Sequence, residues 1–197
     1  MSLEASDRLE HILNETIYLL EIKKGIVCQE DIEENETLKR SVVRSLEIIG
    51  EATKTLPEDI LQNRSNIDWR NISRMRDNLI HRYFKVDYQV VWAVIQDKIP
   101  ELNAEVQKML GQIYRTEYLA YRQQVSEELQ AESIDRQVAK LILQEYSPKF
   151  RSVAIAKIER ILSHGDRAIE LKSNNNSVES YIKQIVESLT SDSIAGD

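Results

Sequence analysis

Glycine and proline are scarce in this chain: five Gly and three Pro in 197 residues. A β-rich fold leans on those two residues for its many tight turns, so their scarcity argues against sandwiches and barrels. Cysteine is nearly absent too. The single Cys28 excludes an internal disulfide and a zinc site built from several thiolates. Three histidines, His11, His81 and His164, lie far apart with no metal-ligand spacing, so no metal and no other cofactor is expected. Long apolar runs are missing as well. The longest, VVWAVI at 90–95, falls far short of the roughly 20 residues that span a bilayer. Met1 to Asp7 is polar and the next segment is amphipathic, which does not fit a signal peptide. Together these absences predict a cytoplasmic protein in a reducing compartment, with no membrane partner.

What is abundant is helix-forming sequence. Leu, Ile, Glu, Lys, Gln and Arg recur in long runs, and 42% of residues are hydrophobic, enough to bury a core. The expected fold class is all-α. Net charge is −7, which argues against a general nucleic-acid coat protein. The charge is uneven, however. Residues 26–36 hold five acids and no base, whereas residues 64–85 hold Arg64, Arg70, Arg74, Arg76, Arg82 and Lys85 against Asp68 and Asp77. A polyanion can be recognised at that basic stretch without the whole surface being basic. A solvated basic helix face is the alternative.

Apolar periodicity places a first helix near 6–24 with Gly25 as its stop, and a second from Leu38 to Leu56, ending at Pro57. Residues 57–67 read as a helical turn and a loop. Asp68 is placed to cap a helix from Trp69, and Asp87 to cap YQVVWAVIQ. Pro100 is expected to start or kink the segment that runs to Leu110, with Gly111 ending it. Four helices with short connections make a bundle. Beyond residue 115, three amphipathic stripes (132–147, 148–165 and 177–189) predict more helices. NNNS at 174–177 reads as a loop with a cap at Ser177, and SDSIAGD as a frayed end.

The chemistry concentrates in RMRDNLIHRYF, residues 74–84. On a helix starting at Trp69, residues Trp69, Ile72, Met75, Leu79 and Ile80 form an apolar arc that also holds Arg76 and Tyr83. An arginine inside an apolar arc is costly to bury unless an anion or partner meets it. His81 falls about 140° from Arg76, beside Asp77 and Asn78. Either the helix loosens before His81, or a site is assembled from two copies of the chain. These residue types suit RNA phosphodiester cleavage. Histidine takes a proton from a 2′-OH or gives one to a leaving oxygen, and arginine grips phosphate with two donors. Asp77 and Asn78 are candidate supporting residues, and Arg70, Arg74, Arg82 and Lys85 candidate RNA contacts. His11 and His164 read as structural, His164 at a helix carboxyl end.

Several separated segments, in order, carry a resemblance to a known family. They are RLEHILNETIYLLE in the first helix, IGEA at 49–52, LP at 56–57, W-R at 69–70, R-x-x-x-x-H-x-Y at 76–83, VD at 86–87 and VW at 91–92. In these the chain resembles the HEPN toxins, the HepT-like partners of minimal nucleotidyltransferase (MNT) antitoxins, over residues 1–114. The resemblance implies a HEPN-type antiparallel helical bundle at 1–114 and leaves 115–197 as an appended helical extension. It implies a type VII-like toxin–antitoxin pair in which the chain is a metal-independent endoribonuclease toxin, with transfer RNA as a possible target. Arg76 and His81 would be the ribonuclease pair. Tyr83 would be the hydroxyl that the MNT antitoxin modifies with AMP, a bulky anion that repels and blocks RNA. Homodimers with the motif at the interface are implied, higher oligomers remaining open. A non-catalytic helical adaptor or nucleotide-binding module is the rival reading.

Overall fold

The computed structural model describes residues 3–62, 64, 66–126 and 129–192. The described residues form helices and contain no strand, so the all-α expectation holds. The chain divides into two compact units, residues 1–110 and 111–197.

The first unit contains α1 (Leu3–Lys23), α2 (Gln29–Glu33), α3 (Glu36–Lys54), α4 (Glu58–Leu61), α5 (Trp69–His81), α6 (Tyr88–Ala93) and the start of α7 (Ile99–Arg122). Side-chain caps fix where three of these begin. Asn35 Oδ1 accepts from the N–H groups of Thr37 and Leu38, and Asp87 Oδ1 from those of Gln89 and Val90. Asp68 Oδ1 accepts from the Asn71 N–H at 3.0 Å and starts α5, as the sequence predicts. Helix α3 packs against both α1 and α5. Its buried residues Val42, Leu46, Ile49 and Thr53 share the core with the buried Leu9, Ile12 and Leu19 of α1 and Leu79 of α5.

Pro100 is the second residue of α7, in the first turn, where the sequence predicts a helix start. Residues Val94–Lys98 form a π-helical turn between α6 and α7. Pro100 has no N–H to offer the Gln96 carbonyl one turn earlier. Lys23 Nζ supplies a donor, at 3.0 Å from that oxygen. Gly111 does not end the segment: the helix continues through it to Arg122. The apolar arc of α5 also stops sooner than expected. Arg82 leaves helical geometry at φ −126°, so Tyr83 sits on a separate 3-10 turn, Tyr83–Lys85, and is 77% exposed.

The second unit holds the rest of α7 with α8 (Ala131–Gln144), α9 (Arg151–Leu162), α10 (Asp166–Ser173) and α11 (Val178–Asp192). The short helices α2 and α10 carry too little stripe to be read as separate elements from periodicity. Val138, Ile142, Ile158, Ile161 and Leu162 form the core of this unit with Tyr118. Asp135 is fully buried there, accepting from the hydroxyls of Tyr118 and Tyr181 at 2.8 Å each. His164 follows the end of α9, its Nδ1 2.9 Å from the Arg160 carbonyl oxygen. The NNNS loop turns at Asn175, whose φ of 56° is one asparagine tolerates, and Ser177 Oγ caps α11 by accepting from the Ser180 N–H. Of SDSIAGD, Ser191 and Asp192 belong to α11 and the remainder lies outside the described residues.

Candidate functional site

Helix α5 stays helical through His81, with the Arg82 N–H still donating to the Asn78 carbonyl at 2.9 Å. The helix therefore does not loosen before His81. Five positions apart on one regular helix, Arg76 and His81 stand on different faces, about 140° around the axis.

Arg76 lies where α5 meets α3. Gly50 makes that approach possible, since a Cβ added there would lie 2.2 Å from Arg76 Cβ and 3.2 Å from the Ile72 carbonyl oxygen. The guanidinium is held by two carboxylates: Nη2 is 2.9 Å from Glu51 Oε2, and Nη1 2.8 Å from Asp77 Oδ1. Its Nε is buried and has no hydrogen-bond partner among the described residues. The bond to Asp77 raises the Arg76 pKa. In return, hydrogen bonds from Arg76 and then Lys54 hold the Asp77 carboxyl below the usual aspartate range. Asp77 is thus a clamp between Arg76 of α5 and Lys54 of α3, its Oδ1 3.3 Å from Lys54 Nζ.

Arg76 opens into a cleft of about 450 Å³ between α1, α3 and α5, lined also by Arg8, His11, Arg44, Glu47 and Glu51. His11, which reads as structural in the sequence, is exposed on α1 and shares this cleft with Arg76. No local signal marks it, because α1 and α5 meet this cleft through tertiary packing on α3. Asn78 and Arg74 border a different cleft of about 550 Å³, walled by Leu46, Ile72, Met75 and Val90. His81 lines neither cleft.

The remaining sequence-selected residues are on the surface. His81, Arg70, Arg74, Arg82 and Lys85 are exposed or half-buried at most. Arg74 Nη1 donates to Asn71 Oδ1 at 3.0 Å. The Tyr83 ring meets Phe84 edge-on at 5.6 Å between centroids, and Lys85 Nζ stands 5.9 Å from the Phe84 ring. Arg64 belongs to the basic stretch in sequence only. Its Nη1 lies 2.8 Å from Oε1 of the buried Glu105, whose Oε2 accepts from Asn66 Nδ2 at 3.0 Å. Burial pushes the Glu105 carboxyl up, but those bonds from Asn66 and Arg64 outweigh it and keep it below the usual range. No group of three or more His, Cys, Asp or Glu among the described residues is placed to share a metal ion. No described helix is long and apolar enough to cross a membrane.

Arginine can grip a phosphate with two donors and histidine can move a proton near neutral pH, so the groups gathered on α5 have the chemistry that phosphate binding calls for. The family described as ribonuclease HepT-like matches residues 4–109. A candidate RNase of Caldanaerobacter subterraneus subsp. tengcongensis is 48% identical over 102 residues, which is 52% of this chain and 90% of that one. The probable ribonuclease HepT of Thermococcus cleftensis is 42% identical over 103 residues, 52% of this chain and 93% of that one. A gamma-glutamylcyclotransferase and candidate RNase of Methanocaldococcus jannaschii is 34% identical over 139 residues, 68% of this chain and 62% of that one, so its match runs past Leu110. No solved structure matches the chain. With more than half of its length matched, and with the arginine and histidine motif inside the matched span, the chain belongs to the HepT-like ribonuclease family.

Proposed function

We propose that the protein is an endoribonuclease toxin that cuts RNA at a site built from Arg76 and His81, without a metal ion, and that an MNT-type nucleotidyltransferase antitoxin silences it by adding AMP to Tyr83. The observation that carries this reading is the exposure of His81 and Tyr83 beside exposed bases, at the end of the helix that bears Arg76. A group that moves a proton to or from RNA must be reached by RNA, and a hydroxyl that receives AMP must be reached by a second protein.

In the proposed reaction the 2′-oxygen attacks the adjacent phosphorus and the bond to the 5′-oxygen breaks, leaving a 2′,3′-cyclic phosphate. His81 takes the 2′-OH proton and, protonated, gives it to the leaving 5′-oxygen. Arg76 stabilises the charge that builds on the phosphate oxygens. The two faces of α5 favour a homodimeric site, since each copy then brings its histidine to the other's arginine. AMP on Tyr83 adds a phosphodiester anion next to Arg82 and Lys85, where it competes with RNA for those cations. Transfer RNA is the proposed substrate class.

A second reading, a nucleotide-binding module that does not cut, draws on one observation: both Arg76 Nη atoms are already occupied by carboxylates. The two separate in a bacterium that lacks the antitoxin. Wild-type protein should arrest growth and cut labelled RNA with EDTA present, and His81→Ala should do neither. Equal growth of the two strains would overturn the nuclease reading. Mixed dimers of Arg76→Ala and His81→Ala chains should regain part of the activity if the site spans two copies.

A further inference from the structure

The cleft between α1, α3 and α5 holds more chemistry than Arg76 alone accounts for. Arg8 and His11 reach it from α1, and Arg44, Glu47 and Glu51 from α3. Its volume of about 450 Å³ is in the range of small-molecule sites. We propose that this cleft is a nucleotide subsite: Arg44, Arg8 and His11 bind a phosphate of the RNA chain next to the one that Arg76 engages, and Glu47 and Glu51 accept from its sugar hydroxyls. The proposal rests on the RNA-cleaving reading for the identity of the polymer, and on the cleft itself for the chemistry.

The mixture of charges selects this ligand. A plain polyanion would meet Glu47 and Glu51 as well as the arginines and gain little. A ribonucleotide carries an anion for the arginines and hydroxyl donors for the carboxylates, and the arginine fork matches two phosphate oxygens at once. The side chains differ in how firmly they are held. Arg8 Nη1 donates to the Thr55 carbonyl at 2.6 Å, which anchors the guanidinium across α1 and α3. Arg44 has a 3.4 Å contact to Glu47 and is 72% exposed, a pairing that a phosphate readily displaces. The His11 ring is exposed on α1 at the edge of the cleft, where a ring N–H can donate to a phosphate oxygen. Arg76 is tied to the cleft wall by Glu51, so a phosphate entering there and a hydroxyl taken by Glu51 exchange partners within one site.

The experiment is a calorimetric titration of the full chain with adenosine 3′-monophosphate, with inorganic phosphate and adenosine as separate arms. Wild type should bind the nucleotide more tightly than phosphate or adenosine. Arg44→Glu and His11→Ala should each weaken binding by about tenfold or more, the range expected for a hydrogen bond to a charged group. Arg40→Glu, an equal charge change at an exposed position of α3 outside the cleft, should bind like wild type. Thermal melts of the variants check that each is folded. Nucleotide binding by Arg44→Glu and His11→Ala at wild-type affinity overturns the subsite. RNA cleavage by the same proteins is read in parallel. If wild type does not cut RNA while nucleotide binding still needs Arg44, the subsite stands and the nuclease reading falls. If wild type cuts and Arg44→Glu keeps its KM, the nuclease reading stands and the subsite falls.

Discussion

Gly50 of α3 and Arg76 of α5 stand so close that a Cβ on Gly50 would lie 2.2 Å from the Cβ of Arg76. Both positions are fixed by helix backbone, so a side chain at 50 has no flexible end to move aside. Glycine inside a helix costs about 1 kcal/mol relative to alanine, so on propensity alone Gly50→Ala would stabilise α3. Overpacking costs about 1–3 kcal/mol and wins here, because the helices themselves must separate. We expect Gly50→Ala to lower the melting temperature and to cut RNA cleavage more than stability alone explains, since Arg76 is carried away from its cleft. A variant that melts higher than wild type would show that α3 and α5 have slack at this point.

Glu51 restrains Arg76 by charge alone. Its side chain is 54% exposed, and the pair is open to solvent on that side. Glu51→Gln should therefore leave the melting temperature nearly unchanged while weakening the acceptor that the nucleotide subsite assigns to a sugar hydroxyl. RNA cleavage should show a KM raised by about two- to fivefold, because the amide accepts a sugar hydroxyl more weakly than the carboxylate does, with kcat little altered. A lowered KM would instead mean that Glu51 acts only as a competitor for the Arg76 guanidinium and takes no substrate hydroxyl, against the nucleotide subsite.

Why Arg76 was legible in the sequence and Glu51 was not is a matter of range. The apolar arc from Trp69 to Leu79 and the Asp68 cap are local patterns, and they mark Arg76 as a charge where an apolar residue belongs. The same wheel, carried past His81, puts Tyr83 on that arc, because nothing in the periodicity records that the backbone leaves the helix at Arg82. Glu51, Gly50 and His11 reach Arg76 only through the packing of α1 and α5 on α3, and spacing within one helix cannot report that. Charge counting misleads in a similar way. Arg64 adds to the basic stretch, yet its partner is a buried carboxylate 41 residues later.

That distinction separates two arginines that look alike in the sequence. Removing Arg64 leaves Glu105 buried with Asn66 as its remaining neutral donor, and breaking a buried pair of this kind costs about 3 kcal/mol. Arg64→Ala should melt earlier and, below its melting temperature, bind RNA with wild-type salt dependence. Arg74→Ala should melt like wild type but bind RNA more weakly, with the slope of log K against log salt reduced by about 1. A filter-binding series from about 50 to 200 mM salt, run beside thermal melts, reads both.

Tyr83 gives a test that leaves the cutting machinery in place. Tyr83→Phe removes one hydroxyl that is exposed on the surface, so neither stability nor cleavage should change measurably. Co-expressed with its nucleotidyltransferase, wild type should gain the mass of AMP and lose toxicity. The phenylalanine variant should gain none at this position and stay toxic. If both are silenced equally, AMP is added elsewhere or the antitoxin acts by binding.

Asp135 in the second unit supplies a prediction with a definite sign in pH. It is fully buried, and burial pushes its carboxyl above the ordinary aspartate range, against the pull of hydrogen bonds from Tyr181 and Tyr118. A group whose folded pKa is raised binds its proton more tightly when folded. Its contribution to stability is therefore complete below the unfolded value, about 3.9, and declines as pH rises through the folded value. Asp135→Asn keeps the shape, an acceptor for one tyrosine and a donor for the other, but cannot ionise. We expect the wild-type melting temperature, relative to that of the asparagine variant, to fall as pH rises from about 4 to about 7. The scale is roughly 2–4 °C for each kcal/mol. Parallel curves for the two proteins over this range would mean that the tyrosine hydroxyls offset the burial of the charge completely.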